Sequence, residues 1–144
     1  MKVLILCTGN SCRSQIAESF LQSSLGSTFS VASAGCEPSG YVHPVAIEVM
    51  AELGHDLKDS LSKSHEEFLD QEIETVITVC GHADDCCPVF PGQMNRYHWG
   101  FDDPADFRGT EEDVKAGFRR VRDEIKLVME AYAAGLREGT ALNV

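Results

Sequence analysis

The chain has 144 residues, 43% of them hydrophobic and 24% charged, enough for one domain that buries its own core without disulfides or metals. Twelve lysines and arginines stand against 23 aspartates and glutamates, and the net charge of −11 argues against nucleic acid and anionic membranes as partners. No apolar run approaches a membrane span, and the opening one, residues 3–6, lacks the longer core and cleavage site of a signal peptide, so a cytoplasmic location is expected.

In chain order, the buried-type run Val3-Leu4-Ile5-Leu6 predicts a strand that passes straight into Cys7-Thr8-Gly9-Asn10-Ser11-Cys12-Arg13-Ser14. A helix follows, with Ile16, Ala17, Phe20 and Leu21 on one face and Gly26 as its stop. Phe29 to Ala32 reads as a second strand. Pro44 suits the first turn of another helix, whose stripe Val45, Ala46, Val49, Met50 and Leu53 ends at Gly54. Ser64 and Glu67 form a capping-box pattern ahead of a strand at Thr75 to Val79. The segment from Cys80 to Arg96 shows no helical pattern and, rich in Gly, Asp and Pro, reads as a mobile loop. A last strand is expected at Asn95 to Trp99. Thr110 and Asp113 then frame a long helix with Val114, Phe118, Val121, Ile125, Val128 and Tyr132 at spacings of three and four. Strands alternating with helices imply a single α/β domain over residues 1–144: a four-stranded, mainly parallel sheet flanked by helices in three layers.

The strand, tight loop and helix at residues 3–21 are the arrangement that presents backbone amides to an anion. Gly9 would supply the unusual backbone angles, the helix starting near Ser14 would point its positive end at the loop, and Arg13 can grip two oxygens at once. A local site made largely of backbone answers the problem that an acidic protein poses for an anionic substrate. Cys7 sits where these amides stabilise a thiolate facing the central atom of a bound tetrahedral oxyanion, with Ser14 able to donate to the sulfur. The ending Gly-Lys-Ser/Thr of a nucleotide-binding loop is absent. The oxyanion would therefore be held by Thr8, Gly9, Asn10, Ser11, Cys12, Arg13 and Ser14.

Three further cysteines, Cys80, Cys86 and Cys87, follow the third strand. Thiols on a mobile loop suit a redox relay. A zinc site using them with His82 or His98 and an inert cluster are the competing readings, and no Cys-x2-Cys pair favours zinc. Asp103, held extended by Pro104, is the candidate acid for an oxygen leaving from Cys7's substrate. His43 is expected at a helix start, and His55, His65 and His82 at the surface.

Together these segments resemble the thioredoxin-coupled arsenate reductases of the low-molecular-weight tyrosine phosphatase fold. The similarity rests on Cys7 to Gln15, Ser33-Ala34-Gly35, Cys80 with Cys87-Pro88, His98 to Pro104 and Arg120 to Lys126, nearly the whole chain. The resemblance implies that Cys7 attacks arsenic while Arg13 and the loop hold the oxygens and Asp103 assists loss of water. Cys80 then attacks Cys7, arsenite leaves, and Cys87 resolves the Cys7–Cys80 disulfide to Cys80–Cys87, which thioredoxin reduces. Cys87 is preferred to its neighbour Cys86 because it precedes Pro88, as in the family. Cys36 is an additional thiol, and the Cys12 side chain is expected to turn away from the anion.

No tightly bound cofactor or metal is implied. Some family members hold potassium; Asn10, Glu18 and Ser33 match three ligands, but the acidic fourth falls near Lys63. Arsenate and thioredoxin are the expected partners of a monomer. The alternatives are a low-molecular-weight tyrosine phosphatase using Cys7, Arg13 and Asp103 alone, and a non-catalytic oxyanion or redox-sensing regulator, which would not need all three.

Overall fold

A computed structural model describes residues 2–142, with side chains through residue 138. β1 (Lys2–Cys7) lies between β2 (Ser30–Gly35) and β3 (Thr75–Thr78), and β4 (Asn95–His98) forms the far edge, in the order β2-β1-β3-β4. All adjacent pairs are parallel. Val3 to Leu6 are fully buried because β1 has a neighbour on each side and helices over it. β4, an edge strand, is exposed along its length.

Among the described residues the α-helices are α1 (Arg13–Leu25), α2 (Pro44–Ala51), α3 (Gly81–Cys86) and α4 (Glu111–Leu142). The predicted face of α1 is buried through Ile16, Ala17, Phe20 and Leu21, and Gly26 follows its last residue with φ 71°. α4 packs chiefly on α1 and α2. Its start is a reciprocal cap: Thr110 N donates to Asp113 Oδ2 and Asp113 N to Thr110 Oγ1, each at 3.1 Å. Its buried line runs Phe118, Val121, Ile125, Met129 and Ala133; the anticipated Val128 and Tyr132 flank it half-buried. Truncating Phe118 would cost about 3–5 kcal/mol.

Several boundaries move. β2 begins and ends later than Phe29 to Ala32, because the stretch through Gly35 still pairs with β1 up to Cys7. α2 stops at Ala51, leaving Leu53 exposed in the turn toward Gly54. The Ser64–Glu67 capping box is present, on a single turn at His65–Phe68. The larger correction is α3, where a loop was expected. Six residues, Gly-His-Ala-Asp-Asp-Cys, are too few to show a period and hold poor helix formers; Cys80 Sγ caps the turn by accepting from Ala83 N at 3.4 Å.

In a parallel sheet every strand delivers its following loop to the same edge. The order places the loops after β1 and β3 side by side, where the chain's connections part in opposite directions, the usual place for a ligand. Leu6 pairs with Thr78, so Cys7 and Cys80 leave neighbouring strand ends.

Candidate active site

Loop 7–13 wraps a cavity of about 240 Å³ lined by Cys7, Thr8, Gly9, Ser11, Cys12 and Arg13, and closed by Asp103 and three residues from the 39–43 segment. Cys7 is buried at its base. Its Sγ accepts from Asn10 N at 3.2 Å and lies 2.9 Å from Ser14 Oγ. Ser14 Oγ also accepts from Asn10 Nδ2 at 2.8 Å, and toward a Cys7 thiolate, which has no proton of its own, it is the donor. Both contacts stabilise negative charge on Cys7. The N-terminus of α1 adds to this, since no side chain caps it and no acidic residue occupies its first turn.

The left-handed residue of the loop is Asn10, at φ 48°, rather than Gly9. Asn10 is fully buried with its side chain turned away from the cavity, and every polar atom is used. Nδ2 donates to Ser14 Oγ and to Ser33 Oγ at 2.9 Å, while Oδ1 accepts from Gln15 Nε2 at 3.0 Å and from Lys63 N at 2.8 Å. Asparagine tolerates this backbone region better than most residues, and the four bonds offset the remaining cost. The side chains of Asn10 and Ser14, both expected among the oxyanion-binding residues, do not line the cavity; they form the framework behind the loop.

Gly35 has a different task. A Cβ there would lie 2.5 Å from Thr8 O and 3.0 Å from Asn10 N, so only glycine lets β2 end against the loop.

Arg13, 9% exposed, donates to Phe101 O at 3.3 Å and pairs with Asp103 Oδ2 at 3.2 Å. Asp103 has the extended backbone expected before Pro104, and its Oδ1 accepts from Ala105 N at 3.0 Å. The neighbouring Asp102 is tied to Arg120 of α4 at 3.2 Å. The acid is thus carried on a loop anchored at both ends.

Cys12 is among the residues that line the cavity. Burial first, then the nearby Asp103 and Cys7 charges, push its thiol up to about 12, against the hydrogen bond with Ser11 and the charge of Arg13. It stays protonated and does not compete with Cys7. Ser39, Tyr41 and His43 also line the cavity and were not anticipated; the Ser39-Gly40 turn and the His43-Pro44 helix start were the available signals. His43 caps α2, Nδ1 accepting from Val45 N at 3.1 Å, so Nε2 carries the proton of the neutral ring. Burial holds its pKa below the usual value.

The second thiol region adjoins the first. Cys80 is buried at the start of α3, and its Sγ lies 3.2 Å from the hydroxyl of Thr8 in the anion loop. Cys87 follows α3 as a free, partly buried thiol, pushed up by burial and by Asp84, with Arg96 opposing. Cys86 is bonded to Cys36 in a disulfide that sequence reasoning did not foresee. Among the described residues, no three His, Cys, Asp or Glu side chains are placed to hold a metal. His82 is at the surface beside Glu37, as read. His55 and His65 are not free at the surface: His55 Nδ1 lies 2.7 Å from Ser19 Oγ, and His65 Nδ1 lies 3.3 Å from Gly35 O.

The residues matched to a potassium site do not fit one. Asn10 Oδ1 is engaged by two N–H donors, Ser33 Oγ accepts from Asn10, and the positive charge of Lys63 acts on Glu18. Burial nevertheless raises the Glu18 pKa.

A buried cysteine in an amide loop at a strand end, with an arginine and an aspartate over it, is an arrangement suited to a cysteine nucleophile facing a tetrahedral oxyanion. The chain belongs to the low molecular weight phosphotyrosine protein phosphatase family, whose model matches residues 2–142. It is 47% identical over 131 residues to an arsenate reductase of Halalkalibacterium halodurans, covering 91% of this chain and 94% of that one. A solved arsenate reductase in its oxidised state superposes with a TM-score of 0.79 at 32% identity, covering 93% and 97% of the two chains. A thioredoxin-dependent arsenate reductase of Corynebacterium glutamicum aligns with a TM-score of 0.62 at 26% identity, over 99% of this chain and 63% of that one. Among the described residues, no helix is long and apolar enough to cross a membrane.

Proposed function

We propose that this chain reduces arsenate to arsenite through Cys7, Cys80 and Cys87, with thioredoxin as the external dithiol. The observation that carries this reading is the buried Cys80 thiol 3.2 Å from Thr8 Oγ1, a second nucleophile against the rim of the anion loop. A phosphatase has no use for it.

In this mechanism the Cys7 thiolate attacks As(V), and an arsenate oxygen leaves as water with assistance from Asp103. Arg13 and the amides of residues 8–13 hold the remaining oxygens. The Cys80 thiolate then attacks Cys7 Sγ; the S–As bond breaks, its electron pair stays on arsenic, and arsenite departs. Cys87 attacks Cys80 Sγ and frees the Cys7 thiolate. The Cys80–Cys87 disulfide takes two electrons from thioredoxin. A monomer in the cytoplasm, working without a tightly bound cofactor, metal or potassium, completes the proposal. The engaged Asn10 Oδ1 and the Lys63 charge support the last part.

The test is arsenate-dependent NADPH oxidation coupled through thioredoxin and its reductase, with a glutaredoxin system run in parallel. Cys80→Ser should abolish this turnover while sparing slow hydrolysis of an aryl phosphate at Cys7. Full arsenate turnover by Cys80→Ser would falsify the relay and leave the phosphatase reading.

A further inference from the structure

Cys80 caps the start of α3 and Cys87 follows its end. Seven residue steps, spanning the six-residue helix, separate their Cα atoms by about 10 Å, whereas a disulfide holds two Cα atoms roughly 4.4–6.8 Å apart. Resolution by Cys87 therefore requires α3 to unwind and its C-terminal end to swing inward. The Cys36–Cys86 disulfide fastens that end. Its other anchor does not move freely: Cys36 N donates to Cys7 O at 3.2 Å, Glu37 N to Thr8 O at 2.9 Å, and Gly35 N to Lys63 O at 2.8 Å. The bond joins the residue beside the resolving thiol to the backbone that braces the anion loop.

We propose that Cys36 and Cys86 form a second redox site, a lock on the relay: closed, it keeps α3 wound and stops the enzyme at the Cys7–Cys80 disulfide; open, it permits resolution by Cys87. The inference rests on the relay reading given above. Closing takes a peroxide as oxidant. The exposed Cys86 thiolate attacks one peroxide oxygen to give a sulfenic acid, and Cys36 displaces its hydroxyl group, so that two thiols and one hydrogen peroxide yield one disulfide and two waters. Opening takes a dithiol. One of its sulfurs attacks Cys86, releasing Cys36 as a thiolate; its second sulfur then displaces Cys86, and two electrons have passed to the bond.

The experiment compares the wild-type chain closed by one equivalent of hydrogen peroxide, the same chain fully reduced, and Cys36→Ser carried through both treatments. Closure is verified by alkylation, which should find the four thiols Cys7, Cys12, Cys80 and Cys87. Arsenate is added without reductant, the reaction is quenched with N-ethylmaleimide, and disulfides are mapped by mass spectrometry. The closed chain should hold Cys7–Cys80 with Cys87 alkylated. The reduced chain and both Cys36→Ser samples should proceed to Cys80–Cys87. Formation of Cys80–Cys87 in the closed chain at the reduced chain's rate overturns the lock.

Amide hydrogen exchange over residues 84–87, measured without arsenate, is the second readout. Closure should slow it several-fold in wild type and leave Cys36→Ser unchanged; equal rates in closed and reduced wild type overturn the lock. If the reduced chain forms no Cys80–Cys87 at all, it is the relay that fails, and the exchange measurement still decides whether the bond restrains α3.

Discussion

The anion loop and the α3 segment both carry reactive sulfur, and they are built on opposite principles. In the loop almost nothing can move. Asn10 spends all four of its side-chain hydrogen bonds on its surroundings, Gly35 lies against the loop backbone, and Arg13 is gripped by Phe101 and Asp103. α3 is a six-residue helix whose side-chain ties include Thr78 to Asp84 at 3.2 Å, Arg96 to Asp84, His82 to Glu37 and the Cys36 disulfide. A nucleophile that must stabilise charge on an oxyanion gains from donors fixed in advance. Thiols that must meet in turn gain from a support cheap to unmake, and so short a helix is marginal by itself.

The sharpest way to break this contrast is at the sulfur both activities share. Cys7→Ser should lower arsenate reduction and aryl phosphate hydrolysis alike by roughly ten-thousandfold or more, since nothing else in the loop can replace the nucleophile. Retention of either activity in the coupled and colorimetric assays would show that a different group attacks. In α3 the effects should instead separate by step. Cys87→Ser should release one equivalent of arsenite and then stop, whereas Cys86→Ser should keep turning over. The opposite result in a burst assay would move the resolving role to Cys86.

Acidity sharpens the comparison next. Burial pushes the Cys87 thiol above its ordinary value, so its thiolate fraction is small at neutral pH and grows as pH rises. Conversion of Cys7–Cys80 to Cys80–Cys87, followed by rapid quench, should therefore climb ~tenfold per pH unit across the neutral range. A flat profile would mean that unwinding of α3, and not the chemistry of Cys87, limits the step.

The smallest change tests the loop's rigidity. Gly35→Ala places a methyl group against Thr8 O and should cost roughly 1–3 kcal/mol in urea unfolding. It should weaken phosphate binding and reduce both activities together, because the amides shift as a set. A variant that loses arsenate turnover but binds phosphate normally would indicate that the damage reached α3.

How much of this could be read in advance follows the same division. The nucleophile loop was legible because its parts are contiguous: strand, Cys7, Arg13 and helix lie within one short stretch, and local chemistry dictates their arrangement. The core faces of α1 and α4 were legible through their period, although on α4 the buried line drifted to Met129 and Ala133. Asn10 and Ser14 were recognised as belonging to the site, but the position of their side chains behind the loop was not. Which side of a loop a side chain takes depends on what lies behind, here Ser33 and Lys63, which are distant in the chain.

Sequence by itself determined the α/β architecture and a cysteine in a loop suited to a tetrahedral oxyanion, because hydrophobic period and a contiguous loop motif are local properties. Only the tertiary structure decided that α3 is helical and that Cys86 is joined to Cys36, fifty residues away. A six-residue helix has no period to detect, and a pairing of two among six cysteines is set by where parallel strands deliver their ends.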